Sequence, residues 1–229
     1  MLLQNKTALI TGSTRGIGQQ IAMGLAELGC HIIVHGRTQA NCQKTLQLLE
    51  AYPIITYSLA ADLSQPNEVQ QLIQQIQDLN VQVDVLYNNA AIMRPYRNDY
   101  WSHTAEDWQK SMQVNLFAVY QLCSALMPKM IENQFGRVVN LVSGIQDQPE
   151  LSPYSTSKAA LTKLTEDLAV KLKNTGVRIN ALDPGWLQTD LGGEYAEHPV
   201  EAVMPGALKP ALVNNDGPNG ETFYALEDH

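Results

Sequence analysis

The segment Thr11-Gly-Ser-Thr-Arg-Gly-Ile-Gly18 stands between a short apolar run, Ala8-Leu9-Ile10, and an amphipathic stretch that reaches about Gly29. In that stretch Ile17, Ile21, Leu25 and Leu28 recur at three- and four-residue spacing, the period of a helix with one apolar face. Strand, glycine-rich turn and helix in this order bring backbone N–H groups and a helix N-terminus to one point, a cradle suited to a diphosphate. Glycines serve such a turn because they let a phosphate or another backbone approach closely. A glycine motif alone also describes an ordinary tight turn. The strand before it and the helix after it favour the nucleotide-binding alternative.

The rest of the chain repeats the alternation. Apolar strand patterns fall at 32–34, 54–59, 83–86, 138–142 and 177–182, and helical patterns at 39–49, 66–79, 105–133 and 153–174. Thr222 to Leu226 reads as a last strand. The stretch 190–220, rich in Gly, Pro and Asn, reads as irregular, with at most a short helix broken by Pro205-Gly206 and Pro210. Short, near-continuously apolar strands alternating with helices predict an α/β domain whose parallel sheet is covered on both faces. With no repeat and no linker, residues 1–229 form one domain. The net charge of −8 argues against nucleic-acid or anionic-membrane partners. Met1-Leu-Leu-Gln-Asn-Lys lacks the layout of a signal peptide, and no apolar run approaches the roughly 18 residues of a membrane span. Cys30, Cys42 and Cys123 form no CxxC pair and read as reduced packing residues, which points to the cytoplasm. The histidines have no ligand spacing, so no metal is expected.

Ligands bind such sheets at the carboxyl ends of the strands, where Gly12, Arg37, Asp62, Asn88 and Ser143 all fall. The second strand ends in His35-Gly36-Arg37, where a site for NAD usually places an acid for the ribose 2′-hydroxyl. Arg37, together with Arg15 inside the glycine loop, suits a 2′-phosphate instead, because guanidinium groups bind phosphate in a bidentate way. NADP(H) is therefore favoured over NAD(H), the alternative being that Arg37 is only a solvated loop residue. Further on, the run Val138 to Val142 stops at Ser143, and Pro153 stands where a helix starts. Tyr154 and Lys158, four residues apart, share a face of that helix. A phenol titrates near pH ~10, a neighbouring cation lowers that value, and a phenol tuned this way exchanges a proton near neutrality. Taken alone, the pair is a weak signal, and an exposed tyrosine beside a solvated lysine is the preferred reading. Asn115, in mid-helix, is informative if it is buried, since it then requires partners. The aromatic and basic stretch 92–103 reads as a loop at the site mouth or as surface packing.

Taken in order, Thr11-Gly12-x-x-x-Gly16-x-Gly18, Asp62, Asn88-Asn89-Ala90, Asn115, Ser143, Tyr154-x-x-x-Lys158 and Pro184-Gly185 followed by Thr189 resemble the short-chain dehydrogenase/reductase family over essentially the whole chain. The resemblance implies a Rossmann-type doubly wound parallel sheet of about seven strands in the order 3-2-1-4-5-6-7, and a catalytic tetrad of Asn115, Ser143, Tyr154 and Lys158. It implies that the cofactor meets Gly12, Ser13, Thr14, Arg15, Gly16, Ile17 and Gly18, then Arg37, with Asp62 and Leu63 by the adenine. Asn88, Asn89 and Ala90 would line it, and Tyr154, Lys158, Pro184, Gly185, Leu187 and Thr189 would hold its nicotinamide end. The implied reaction is NADP(H)-dependent interconversion of a small-molecule carbonyl and an alcohol by hydride transfer, with Tyr154 as acid/base. A 3-oxoacyl-[acyl-carrier-protein] reductase is the narrower alternative, with Arg94, Arg97, Lys129 and Arg137 as its candidate basic patch. A non-catalytic NADP(H)-sensing protein is the alternative from another class. Assembly as a homodimer or homotetramer through helices 105–133 and 153–174 is expected by analogy. Three departures stand out. Ala91 replaces a usual Gly, Gly144 follows Ser143 where a second Ser is common, and the region 199–220 is short, leaving open both a substrate lid and assembly through that edge.

Overall fold

The computed structural model describes residues 2–93, 97 and 99–226. Seven strands, β1 (Thr7–Ile10), β2 (His31–Gly36), β3 (Thr56–Ala60), β4 (Val85–Asn88), β5 (Gly136–Leu141), β6 (Val177–Asp183) and β7 (Thr222–Tyr224), form one sheet in the order β3-β2-β1-β4-β5-β6-β7. Every pairing is parallel. The chain runs outward from β1 through β3, then returns to lay β4 on the other side of β1. That reversal opens a crevice at the carboxyl ends of β1 and β4.

The strands are joined by helices α1 (Gly16–Glu27), α2 (Gln39–Leu49), α3 (Pro66–Asp78), α4 (Ala105–Met112), α5 (Ala118–Glu132) and α6 (Ser152–Lys171). Alternate strand residues point to opposite faces and enter separate cores. Leu9, Leu86 and Val138 pack with α3, α5 and α6. Ala8, Ile10, Val85 and Val139 pack with α1 and α2. Residues 54 and 55, expected in β3, precede it, and Ile55 is half exposed. The long helix expected at 105–133 runs as α4, one π turn (Gln113–Phe117) and α5. By length and composition it could cross a membrane, but half of its apolar window is packed inside the fold, as in a core helix.

The irregular stretch contains two 3₁₀ turns, Val200–Val203 and Gly206–Ala211. They are a wall of the second core, not a lid: Val203, Ala207 and Ala211 are fully buried, and the buried Tyr87 phenol donates to the Ala207 carbonyl at 2.8 Å.

Among the described residues the candidate basic patch does not assemble. Arg137 is fully buried and donates to the carbonyls of Val213 (2.8 Å), Gly136 (2.7 Å) and Gly176 (3.0 Å) and to Asn215 Oδ1 (2.7 Å). Arg97 pairs with Asp107 and Lys129 with Glu132. Arg94 lies outside the described residues.

Candidate active site

The glycine loop is held from below. Gly12, with φ of 65°, occupies the left-handed region that favours glycine. Its N–H donates to His35 Nδ1 at 3.1 Å, while the Ser13 N–H donates to the His35 carbonyl and Ser13 Oγ accepts from the His35 N–H, both at 3.0 Å. Ser13 is therefore fully buried and its side chain faces β2, which corrects its expected role as a cofactor contact. His35 reads in the sequence only as part of a strand end, and its role as a brace for the loop is not marked there. Burial pushes its imidazole down to about 4, so Nδ1 stays an acceptor at neutral pH. Between pH 6.5 and 4 the unfolded chain binds a proton here that the folded chain refuses, so stability falls as the pH drops through that window. The loss reaches on the order of 3 kcal/mol. Urea unfolding across that range should show a shallower pH slope in His35→Asn than in the unaltered protein.

From the other side, Asn89 Nδ2 donates to the carbonyls of Thr11 (2.8 Å) and Gly12 (3.1 Å), and Thr11 Oγ1 accepts from the N–H groups of Asn89 and Ala90 at 3.0 Å. Gly18 leaves room for this brace, since a Cβ there would lie 2.5 Å from Asn89 Nδ2. Asn88, expected to line the cofactor, is instead turned into the sheet. It is buried and donates to Asn140 Oδ1 at 2.8 Å, while Asn140 donates to Thr165 Oγ1 at 2.9 Å. At the end of β3, Asp62 Oδ1 accepts from the Ser64 N–H, and Leu63 is buried.

Helix α1, like α3 and α6, starts without a side-chain cap, whereas α2 is capped by Thr38 and α4 by a reciprocal Thr104–Asp107 box. The N–H groups of its first turn are thus left for an anion. The opposite wall is the loop after Pro184-Gly185. Leu187 is buried, Thr189 Oγ1 accepts from the Gly192 N–H at 3.0 Å, and the Thr189 methyl lies over Gly16. Ile17 and Thr14 flank the cradle half-buried, with the Thr14 methyl against Gly36. Arg37 is exposed beyond β2. Arg15 is engaged: its Nε lies 2.6 Å from Asp190 Oδ2, in an exposed pair.

Three reactive side chains meet at the carboxyl end of β5. Ser143 Oγ accepts from the Ile145 N–H at 3.3 Å and lowers the proton affinity of the Tyr154 phenol. Tyr154 and Lys158, on the first turns of α6, are both buried, with Lys158 Nζ 5.8 Å from the tyrosine ring centroid and donating to the Leu141 carbonyl at 2.6 Å. Asn115 sits behind them in the π turn, fully buried. Its Oδ1 accepts from the Ile92 N–H, and its Nδ2 donates to the Ile92 carbonyl and to Ser157 Oγ, all at 2.9 Å. Ser157 Oγ in turn donates to the Tyr154 carbonyl at 2.6 Å. The mid-helix asparagine thus fixes the first turn of α6, and the extra residue of a π turn is a recurrent device at functional sites.

The electrostatics correct one expectation. Burial pushes the Tyr154 phenol up to about 12, with the Asp183 carboxylate adding to the rise and Ser143 opposing it. Desolvation dominates, so the phenol is a protonated donor at neutral pH. Burial brings Lys158 down to about 8, with Asp183 opposing the fall. Asp183 was not singled out in the sequence, although it immediately precedes Pro184-Gly185.

A doubly wound sheet whose crevice joins a glycine cradle to a serine, a tyrosine and a lysine defines an oxidoreductase of the dinucleotide-binding class. The short chain dehydrogenase family matches residues 6–200. Dehydrogenase/reductase SDR family member 4 of Sus scrofa is 35% identical over 190 residues, 82% of this chain and 68% of that one. The uncharacterized oxidoreductase YvrD of Bacillus subtilis is 32% identical over 203 residues, 88% of this chain and 76% of that one. Among solved structures, the 3-oxoacyl (acyl-carrier-protein) reductase of Agrobacterium tumefaciens C58 with NADP bound superposes with a TM-score of 0.86 at 29% identity, covering 97% of this chain and 93% of that one. A gluconate 5-dehydrogenase of Burkholderia cenocepacia J2315 in complex with NADP and tartrate gives 0.83 at 26% identity, over 97% and 94%. The chain belongs to the short-chain dehydrogenase/reductase family.

Proposed function

We propose that this chain reduces a small ketone or aldehyde, or oxidises the matching alcohol, with NADP(H) as the hydride carrier. The observation that carries the reading is the buried Tyr154 phenol, acted on by Ser143 and one helical turn from Lys158. The residues fit the cofactor: an uncapped α1 N-terminus and a glycine turn suit the diphosphate, and Arg15 and Arg37 without an acid at the end of β2 suit a 2′-phosphate. Lys158 and the loop at Leu187 and Thr189 would hold the nicotinamide end. When bound, the cofactor supplies or accepts the hydride. Ser143 hydrogen-bonds and polarises the carbonyl oxygen, and Tyr154 gives it the proton. Lys158 keeps positive charge beside the phenol, and Asn115 holds the turn that carries both. Two NADP-bound relatives support the cofactor.

A small substrate is favoured over an acyl-carrier protein. Arg97 and Lys129 are neutralised by carboxylates, Arg137 is buried, and the chain carries a net charge of −8. The test is consumption of NADPH across a panel of small ketones and aldehydes beside a 3-oxoacyl thioester on its carrier. Preference for the carrier-bound substrate overturns this choice. The half-exposed Phe117 and Tyr120, on the face of the long helix expected to meet a second copy, support a homo-oligomer, which light scattering would read directly.

The Arg15–Asp190 pair adds a cofactor prediction. An exposed ion pair is worth at most about 1 kcal/mol, and a phosphate dianion competes well for the same guanidinium. Asp190→Asn should tighten NADPH binding about 2- to 5-fold and leave NADH binding unchanged, as read by calorimetric titration.

A further inference from the structure

Lys158 is a buried ammonium that donates to a backbone carbonyl and lies 5.8 Å from the Tyr154 ring centroid, and among the described residues no carboxylate forms an ion pair with it. A buried charge without an opposite charge is costly. The carboxylate that acts on it is Asp183, at the carboxyl end of β6. Leu182, the residue before Asp183, pairs with Leu141, whose carbonyl takes the Lys158 hydrogen bond, so the anion and the cation flank one strand end. The carboxylate is fixed from one side by the Gly185 N–H, which donates to Asp183 Oδ1 at 3.0 Å. From the other side it is admitted by the missing side chain at Gly144, where a Cβ would lie 2.7 Å from Asp183 Oδ2. The replacement of a common second serine by Gly144 is therefore spatially tied to the acid across the strand gap.

We propose that Asp183 is a positioning residue of this site, a carboxylate held by the Gly185 N–H in the space left by Gly144, at the strand end to which Lys158 is bonded. The inference deepens the carbonyl-reductase reading and rests on it for its catalytic consequence alone. The groups acting on the phenol are Ser143, just past the end of β5, and Asp183 from β6, with the Lys158 ammonium of α6 5.8 Å from its ring; on the ammonium, Asp183. Loss of the negative charge makes both groups give up their protons at lower pH. Reduction needs the protonated phenol, so its rate falls as pH rises through the governing value, and that alkaline limb moves to lower pH.

The variant is Asp183→Asn, which keeps an oxygen for the Gly185 N–H. Its kcat/KM profile for ketone reduction should shift by about one pH unit to the acid side, with NADPH affinity unchanged. Gly144→Ala, which displaces the carboxylate, should shift it in the same direction. Superimposable normalised profiles in the unaltered protein and Asp183→Asn overturn the proposal. A second readout needs no turnover. Asp183→Asn should lower the urea midpoint at pH 7, less so at pH 9.5 where Lys158 is neutral, and not at all in a Lys158→Met background. An equal loss in both backgrounds assigns Asp183 a merely structural role. Absence of turnover with the unaltered protein sinks the reductase reading, and the unfolding cycle still decides the role of Asp183.

Discussion

Tyr154→Phe should reduce kcat for carbonyl reduction by about 10²–10⁴-fold, the span that a positioned general acid contributes. The substitution removes one oxygen from a buried ring and leaves the packing of α6 intact, because the Tyr154 carbonyl, not the phenol, takes the Ser157 hydrogen bond. NADPH affinity should change little, since the cradle at Gly12 to Gly18 and the arginines are untouched. KM for the ketone should rise less than kcat falls, as expected for an interaction made chiefly in the transition state. Ser143→Ala should lose less, because the phenol remains to donate. A Tyr154→Phe enzyme that keeps its kcat would show that the proton comes from elsewhere, and the assignment of the site would fail with it.

Arg137→Met should destabilise the fold by about 3 kcal/mol, lowering Tm by roughly 6–12 °C for a chain of this size. The guanidinium serves four acceptors on three segments, Gly136, Gly176 and the stretch Val213–Asn215, and lies over the Phe135 ring with its carbon 4.5 Å from the centroid. Methionine fills the volume and leaves those acceptors without their donor. A cleft of about 430 Å³ beside Gly176 and Asn215 lets water reach some of them, which holds the loss below the sum of four orphaned carbonyls. Burial of an uncompensated charge works the other way, having pulled Arg137 down to about 10. A Tm within about 2 °C of the unaltered protein would mean that relief from that burial cancels the lost hydrogen bonds. Arg137→Lys should fall between the two, since an ammonium reaches fewer of the acceptors.

The alternation of apolar runs with amphipathic stretches was enough to read a two-sided parallel sheet, because buried strands cannot be written otherwise. Their order across the sheet, and the tetrad, came from the resemblance, since spacing along the chain says nothing about which strands are neighbours. What stayed hidden is the bonding beneath the site. His35 and Asn89 brace the glycine loop through hydrogen bonds spanning 23 and 78 residues of sequence. Arg137 read as a surface cation because nothing local marks an arginine whose acceptors reach as far as Val213 and Asn215, 76 and 78 residues on. The phenol's proton affinity was misjudged for a related reason: the neighbouring cation can be read from spacing, but the burial that overrides it cannot.

The 3₁₀ turns at 200–211 have a consequence for biogenesis. They supply the innermost wall of the α1 side, where Met204 and Leu208 crowd the flat spot at Gly24 and Ala207 receives the Tyr87 hydroxyl. A nascent chain still lacking this segment has its nucleotide half translated yet hydrophobically unsealed, so that half reaches its final packing only after residues 200–211 have been made.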